Sequence, residues 1–212
     1  MSLNFDSIIF DMDGTLWDAV DSYCKIWDVT FEQMGKQQKV TRDELLKCMG
    51  MPIDEIFNTI VKINIDKDQY LTLLDKNESE MMPILGGKLY NGVFEGIKLL
   101  SNKYKLYMVS NCGAEGLNNF LSFTKLKPYI NGTLTYGETL LPKSENIKLL
   151  IKRNGLCNAV YVGDTQGDCN SAHAAGIPMI FAKYGFGKCE DAEYTIESFP
   201  DLLNLLFKNL YI

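Results

Sequence analysis

Early in the chain two carboxylates stand two positions apart, Asp11 and Asp13, followed at once by Gly14 and Thr15. Carboxylates that close repel, and a cation or a shared proton relieves the repulsion. The pair therefore asks for a metal. An ionised carboxylate attacks an electrophilic centre and forms a covalent intermediate, while a protonated neighbour delivers a proton to a leaving group and later takes one from water. Gly14 lets the backbone turn without a Cβ clash, and Thr15 adds a hydroxyl and a backbone N–H. The same residues also suit a plain turn, because Asp and Gly are ordinary turn residues. A calcium loop of the EF-hand kind requires a Glu at its twelfth position. Counting from Asp11 that position is Ser22, so the calcium reading fails.

Ser7-Ile8-Ile9-Phe10, just before the pair, holds three apolar residues in a row, two of them β-branched, and predicts a short strand buried on both faces. Asp11 then falls where the strand stops. In open α/β sheets the carboxyl ends of the strands form the crevice where ligands bind. Further strands are expected at 106–110, 133–136, 159–162 and 178–182, with helices at 93–102 and 114–123. The strand at 106–110 ends in Ser110-Asn111, and that at 159–162 runs into Gly163-Asp164-Thr165-Gln166-Gly167-Asp168. Leu141-Pro142-Lys143 opens a helix that closes on Lys152-Arg153-Asn154-Gly155, where cations and glycine suit a helix C-terminus. A small-residue helix follows at 171–175, and Ser198 with Pro200 starts a terminal amphipathic helix. Strands alternating with helices imply an α/β fold, a parallel sheet with helices on both faces.

Residues 16–82 interrupt this alternation and read as helical throughout, with no strand expected. Val20, Tyr23, Cys24, Trp27, Phe31 and Met34 recur at helical spacing before Gly35, and the Trp27–Phe31 stripe reads as helix core. Thr41-Arg42-Asp43-Glu44 forms a capping box for a second helix. Pro52 suits the first turn of a third, and a fourth runs from about Asp66 to Met81.

The 212 residues fit one large domain or a core with a modest insertion, and 46% hydrophobic content supports a sizeable core. Acidic residues outnumber basic ones, 27 to 21, and no basic cluster exceeds Lys152-Arg153, which argues against nucleic acid and anionic membrane as partners. No apolar run approaches ~18 residues, and the first residues lack the pattern of a signal peptide. A cytoplasmic location is expected. Six cysteines scattered singly, with no Cys-x-x-Cys pair and only His173 as histidine, read as reduced thiols and disfavour a zinc site. His173, on an alanine-rich helix, reads as packed or solvent-facing. Met1-Ser2-Leu3 has the look of an expression remnant. There is no internal repeat and no low-complexity tract.

Polar groups thus recur at strand ends or in the loops that follow, in chain order: Asp11 with Asp13, Ser110, Lys143, and Asp164 with Asp168. Together they resemble the haloacid dehalogenase superfamily of phosphotransferases, whose four motifs are matched by Asp11-Met12-Asp13-Gly14-Thr15, Val109-Ser110-Asn111, Lys143, and Gly163-Asp164 with Asp168 four residues on. The resemblance spans residue 8 to about residue 182. It implies a Rossmann-like catalytic core made of residues 1–15 and 83–212, with an all-helical cap inserted at 16–82, as in the phosphoglycolate phosphatase and β-phosphoglucomutase branch. One departure is Pro142-Lys143-Ser144-Glu145, which lacks the proline that often follows the lysine in relatives.

In the roles this implies, Asp11 is the nucleophile that forms an aspartyl-phosphate, and Asp13 is the acid that becomes a base. Lys143, Ser110 and Asn111 offset charge on the phosphoryl oxygens, with Gly14 and Thr15 also binding phosphate. A hard cation prefers oxygen ligands, so Mg2+ is expected, held by Asp11, Asp164 and the backbone carbonyl of Asp13. Asp168 is expected to hold a metal-bound water or to orient Lys143.

The expected activity is magnesium-dependent hydrolysis of a small phosphomonoester, phosphoglycolate-like or a sugar phosphate. Dehalogenases and phosphonatases of the superfamily lack an aspartate at the position of Asp13. The alternative is a mutase of the β-phosphoglucomutase type, but such enzymes carry a cap histidine and none lies between residues 16 and 82. A non-catalytic binding protein is the remaining alternative, and no motif position favours it. Gly50-Met51-Pro52 falls where relatives place a substrate-contacting loop, with Lys47 or Arg42 as anchors for an anionic substrate.

Overall fold

Alternate residues of the first strand feed two separate hydrophobic clusters, Ile8 and Phe10 into one and Ile9 into the other. That is the period of two expected of a sheet buried on both faces. A computed structural model describes residues 4–207, so Met1-Ser2-Leu3 and residues 208–212 of the expected core lie outside the described residues. In chain order the elements are β1 (Ser7–Phe10), β2 (Trp17–Asp18), α1 (Val20–Gln33), α2 (Arg42–Leu46), α3 (Ile53–Ile60) and α4 (Lys67–Leu85). Then come β3 (Lys88–Leu89), α5 (Val93–Leu100), β4 (Lys105–Ser110), α6 (Gly116–Thr124), β5 (Gly132–Thr135), α7 (Tyr136–Thr139) and α8 (Lys143–Asn154). The chain continues through β6 (Ala159–Gly163), α9 (Gln166–Ala174), β7 (Met179–Ala182), β8 (Tyr194–Ile196) and α10 (Phe199–Phe207).

Six strands form one parallel sheet in the order β5-β4-β1-β6-β7-β8. The first strand is therefore central, with Phe10 level with Met108 on one side and Val162 on the other. One face is covered by Val93, Ile97 and Leu100 of α5 and by Phe199, Leu202 and Leu206 of α10. The opposite face is covered by Ile147 and Leu150 of α8 and by Cys169 and Ala172 of α9. The α/β architecture read from the alternation is thus the observed one, and the carboxyl ends of β1, β4 and β6 lie side by side.

Several details differ from the expectation: the helix expected at 171–175 already begins at Gln166, and Tyr136, expected to end a strand, opens α7. The edge strand β8 was not foreseen: it is three residues long, Thr195 is exposed, and Glu193 and Glu197 flank it, so no apolar run marks it. Residues 16–82 are not helical throughout, because Trp17 and Asp18 pair antiparallel with Leu89 and Lys88. A two-residue strand whose partner lies some seventy residues away leaves no local pattern. The fourth helix also runs past Met81 and through Pro83 to Leu85, since a proline in a last turn removes only one ladder bond, and the Gly86 N–H donates to the Met82 carbonyl at 2.9 Å.

The helices between β2 and β3 have their own core. Trp27 and Phe31 of α1 stack with Tyr70 of α4 at centroid distances of 5.5 and 4.7 Å, and Phe57 of α3 joins at 5.4 Å. Trp27 and Phe31 are buried, as their stripe predicts, and burying one such side chain is worth about 3 kcal/mol. Thr41 caps α2 as expected: the Glu44 N–H donates to Thr41 Oγ1, and the Thr41 N–H donates to the Glu44 carboxylate at 2.9 Å. Six free cysteines are present, at the six positions the sequence shows.

Candidate active site

Asp11 is the first residue after β1, and its N–H still belongs to the sheet, donating to the Val162 carbonyl at 2.9 Å. That bond fixes the carboxylate at the crevice mouth, where it is 4% exposed. Asp164 follows β6 next door and is 1% exposed. Asp168 belongs to the first turn of α9, and its carboxylate accepts from the N–H and hydroxyl of Thr165 at 3.0 and 2.7 Å. Carboxylate oxygens of Asp11, Asp164 and Asp168 all come within 4.8 Å of one another.

Burial pushes the Asp11 carboxyl up to about 6 and holds Asp164 well above the usual carboxylate range, the neighbouring Asp168 adding to both. Stacking three acids out of water is unfavourable for any two of them to ionise. Lys143 offsets part of this. Its ammonium lies 2.6 Å from Asp168 Oδ1 and 3.1 Å from Asp11 Oδ1. Burial alone would lower Lys143, but Asp11 and Asp168 outweigh it and keep the ammonium charged. Asp11 Oδ1 is nevertheless buried without a well-directed hydrogen bond. An orphaned oxygen in a cluster of three carboxylates, with no thiolate or imidazole among them, fits a hard divalent cation.

Asp13 is held apart from that cluster. Its carboxylate accepts from Trp17 Nε1 at 2.9 Å and from the Tyr23 hydroxyl at 3.4 Å. Burial, with a contribution from the Asp11 charge, raises it to about 8, so it carries a proton at neutral pH. The Asp13 carboxylate is not among the three that meet in the cluster. Ser110 closes β4 at 5% exposure, beside the cavity.

Gly14 and Thr15 face inward. The Gly14 N–H donates to the Trp17 carbonyl at 2.9 Å, and Thr15 Oγ1 donates to Asp164 Oδ1 at 3.2 Å. Gly14 has φ +79°, and a Cβ there would stand 2.1 Å from Asp164 Oδ2, so only glycine fits. The Asn111 side chain donates to the Gly50 carbonyl at 2.8 Å, which brings the Gly50-Met51-Pro52 loop onto the carboxyl end of β4.

A cavity of about 430 Å³ opens on Asp11, Asp13, Ser110 and Lys143 and extends beneath α1, α3 and α4. The expected anchors for an anionic substrate are not there. Arg42 is engaged by Asp18 and, at 3.1 Å, by Asp21, and neither Arg42 nor Lys47 lines the cavity. Arg42 is drawn away because Asp18 belongs to β2, the strand that the sequence did not reveal. His173 is peripheral, 3.1 Å from Glu193 on the exposed side of α9.

The loop after β7 supplies partners that residue types do not announce. The Phe186 N–H donates to Asp164 Oδ2 at 2.8 Å, and the Tyr184 hydroxyl donates to the Thr15 carbonyl at 2.8 Å. A Cβ on Gly185 would stand 2.3 Å from that of Asp164. The Gly185-x-Gly187 spacing is the only sequence trace of this close approach.

Known proteins bear on this geometry. The family of haloacid dehalogenase-like hydrolases matches residues 8–182 of the chain. A phosphoglycolate phosphatase of Aquifex aeolicus is 26% identical over 206 residues, 94% of this chain and 95% of that protein. The pyrophosphatase PpaX of Listeria monocytogenes is 24% identical over 182 residues, 82% of each chain. A solved haloacid dehalogenase-like family hydrolase from Streptococcus pneumoniae has the same fold, with a TM-score of 0.81 at 20% identity over 94% of this chain and 97% of that one. The matched stretch begins in β1, ends with β7 and carries every strand-end residue described above, and so the chain is an enzyme that belongs to the haloacid dehalogenase-like hydrolases.

Proposed function

We propose that this hydrolase is a magnesium-dependent phosphatase that cleaves a small phosphomonoester through an aspartyl-phosphate on Asp11. The observation that carries this reading is the contrast between the two carboxyls two residues apart, Asp11 beside the Lys143 ammonium and Asp13 raised to about 8 against Trp17 and Tyr23. Environments that push two acids apart assign one as nucleophile and the other as proton donor. The names of the relatives, phosphoglycolate phosphatase and pyrophosphatase, support phosphoryl transfer to water.

An Asp11 oxygen attacks phosphorus, the bond from phosphorus to the alcohol oxygen breaks, and Asp13 gives its proton to that oxygen. Asp13, now ionised, takes a proton from water as the water attacks phosphorus. The bond to Asp11 then breaks, inorganic phosphate leaves, and Asp13 is again protonated. Lys143 and Ser110 offset charge on the phosphoryl oxygens. Asp11, Asp164 and the Asp13 carbonyl would hold Mg2+, with Asp168 fixing Lys143; the ion supplies charge neutralisation for two approaching anions. We assign Gly14 and Thr15 to shaping the loop around Asp164, and Asn111 to holding Gly50 over the site.

The helices of residues 16–82 act in this reading as a cap over the carboxyl ends of β1 and β4, joined to the catalytic core through the antiparallel β2–β3 pair, and closure excludes bulk water. Among the described residues no helix is long and apolar enough to cross a membrane. Six free thiols fit a reducing compartment, and we place the enzyme in the cytoplasm. The test is hydrolysis of p-nitrophenyl phosphate with magnesium, with EDTA, and by the Asp11→Asn variant. Turnover is expected only with wild type and metal. Turnover that survives Asp11→Asn would rule out the aspartyl-phosphate.

A further inference from the structure

The cavity wall that faces the leaving group combines apolar and acidic side chains. Beyond Asp11 and Asp13 it carries the exposed Asp75 and half-buried Glu78 of α4, together with the exposed Glu115 and with Asp54, whose charge is met by Lys67 at 2.7 Å. Lys143 is the one cation among the described residues lining it, and Lys143 is already paired with Asp11 and Asp168. Asp75 and Glu78 lie three residues apart on α4 and therefore share a helix face. A Cβ on Gly113, in the loop after β4, would stand 3.3 Å from Asp75 Oδ1, so the Asp75 carboxylate comes close to the loop that follows Ser110. Glu78 is half-buried beside the cavity, and no hydrogen bond or ion pair from a described residue reaches its carboxylate. Tyr23, Trp27 and Tyr136 add aromatic side chains to the lining of the cavity.

A carboxylate or a second phosphate on the leaving group would meet like charge here, with no arginine, histidine or free lysine among the described lining residues to receive it. An ammonium would meet ion-pair partners and ring faces instead. The geometry points to a phosphomonoester whose alcohol carries an ammonium group, with the phosphate on Asp11 and the cation between Glu78, Asp75 and the aromatic wall. This inference rests on the phosphatase reading and narrows it. Asp75 and Glu78 are then specificity-determining residues and take no part in bond breaking.

The experiment compares kcat/KM of the wild-type enzyme, with magnesium, for phosphocholine, for its uncharged isostere 3,3-dimethylbutyl phosphate, for phosphoglycolate, and for p-nitrophenyl phosphate as a reference. Phosphocholine is expected to exceed the isostere by roughly tenfold or more, the effect of one partly desolvated charge pair, and phosphoglycolate to be poorer than both. In Asp75→Asn/Glu78→Gln the ratio of phosphocholine to isostere falls towards one, chiefly through KM. Hydrolysis of the isostere or of phosphoglycolate as well as phosphocholine by the wild type overturns the inference while leaving the phosphatase standing. Absence of p-nitrophenyl phosphate turnover overturns the phosphatase reading and this one with it. The wild-type comparison decides the matter even where the double variant does not fold.

Discussion

Lys143 Nζ and Asp168 Oδ1 meet at 2.6 Å with both side chains almost wholly withdrawn from solvent. The same ammonium reaches Asp11 at the end of the central strand, so Asp168 sets where the positive charge stands relative to the Asp11 carboxylate. Removing one partner of a buried pair leaves the other charge uncompensated, at a cost of about 3 to 5 kcal/mol. Asp168→Ala is therefore expected to lower the urea midpoint substantially and to reduce kcat by roughly a hundredfold, because the charge facing the phosphoryl oxygens is no longer fixed. A variant with wild-type kcat would show that Lys143 is held well enough by Asp11 alone.

Gly14→Ala is the sharpest probe of the carboxylate cluster. With φ +79° and Asp164 Oδ2 2.1 Å from the new methyl, the substitution cannot be absorbed without moving Asp164 or the loop. Asp164 also loses its register with Thr15 Oγ1. Weakened binding of Mg2+ is the expected result, read by calorimetric titration and by loss of any magnesium-induced rise in melting temperature. Unchanged magnesium affinity would place the ion elsewhere than between Asp11 and Asp164.

Glu78 gives the pH dependence of stability a sign. Burial, with Asp75 nearby, raises its carboxyl to about 7. The folded protein thus retains a proton that the unfolded chain releases near the ordinary value of 4.5. Stability falls as pH rises from there to about 7, and the penalty is constant above. Glu78→Gln removes this titration. In thermal melts its advantage over wild type is expected to be near zero at pH 4 and full by pH 8. A difference independent of pH would mean that Glu78 ionises normally in the folded state.

Asp11, Ser110 and Asp164 were legible as site candidates because each ends a run of buried apolar residues, and a break from such a run to a polar group is a local signal. Lys143 was legible by its place in motif order, at the first turn of α8. What escaped the sequence is non-local. The β2–β3 pairing and the edge strand β8 rest on partners far along the chain or on too few residues to show a period. The Phe186 N–H that holds Asp164 is a backbone group, so no residue type betrays it. Tyr23 falls in the helical stripe of α1 and Trp17 carries no local signal, so only the fold turns their polar ends onto Asp13.

The hydrogen bond from Asn111 to the Gly50 carbonyl joins the loop after β4 to the loop between α2 and α3. It is solvent-exposed, so its net worth is at most about 1 kcal/mol, enough to shift a closed-to-open ratio up to roughly fivefold. Asn111→Ala is expected to raise KM severalfold, since substrate binding must then supply the closure that Asn111 supports, while the global melting temperature moves little. Hydrogen exchange of the amides at residues 49–51 should quicken in the substrate-free variant. If exchange there matches wild type, closure does not depend on the Asn111 amide.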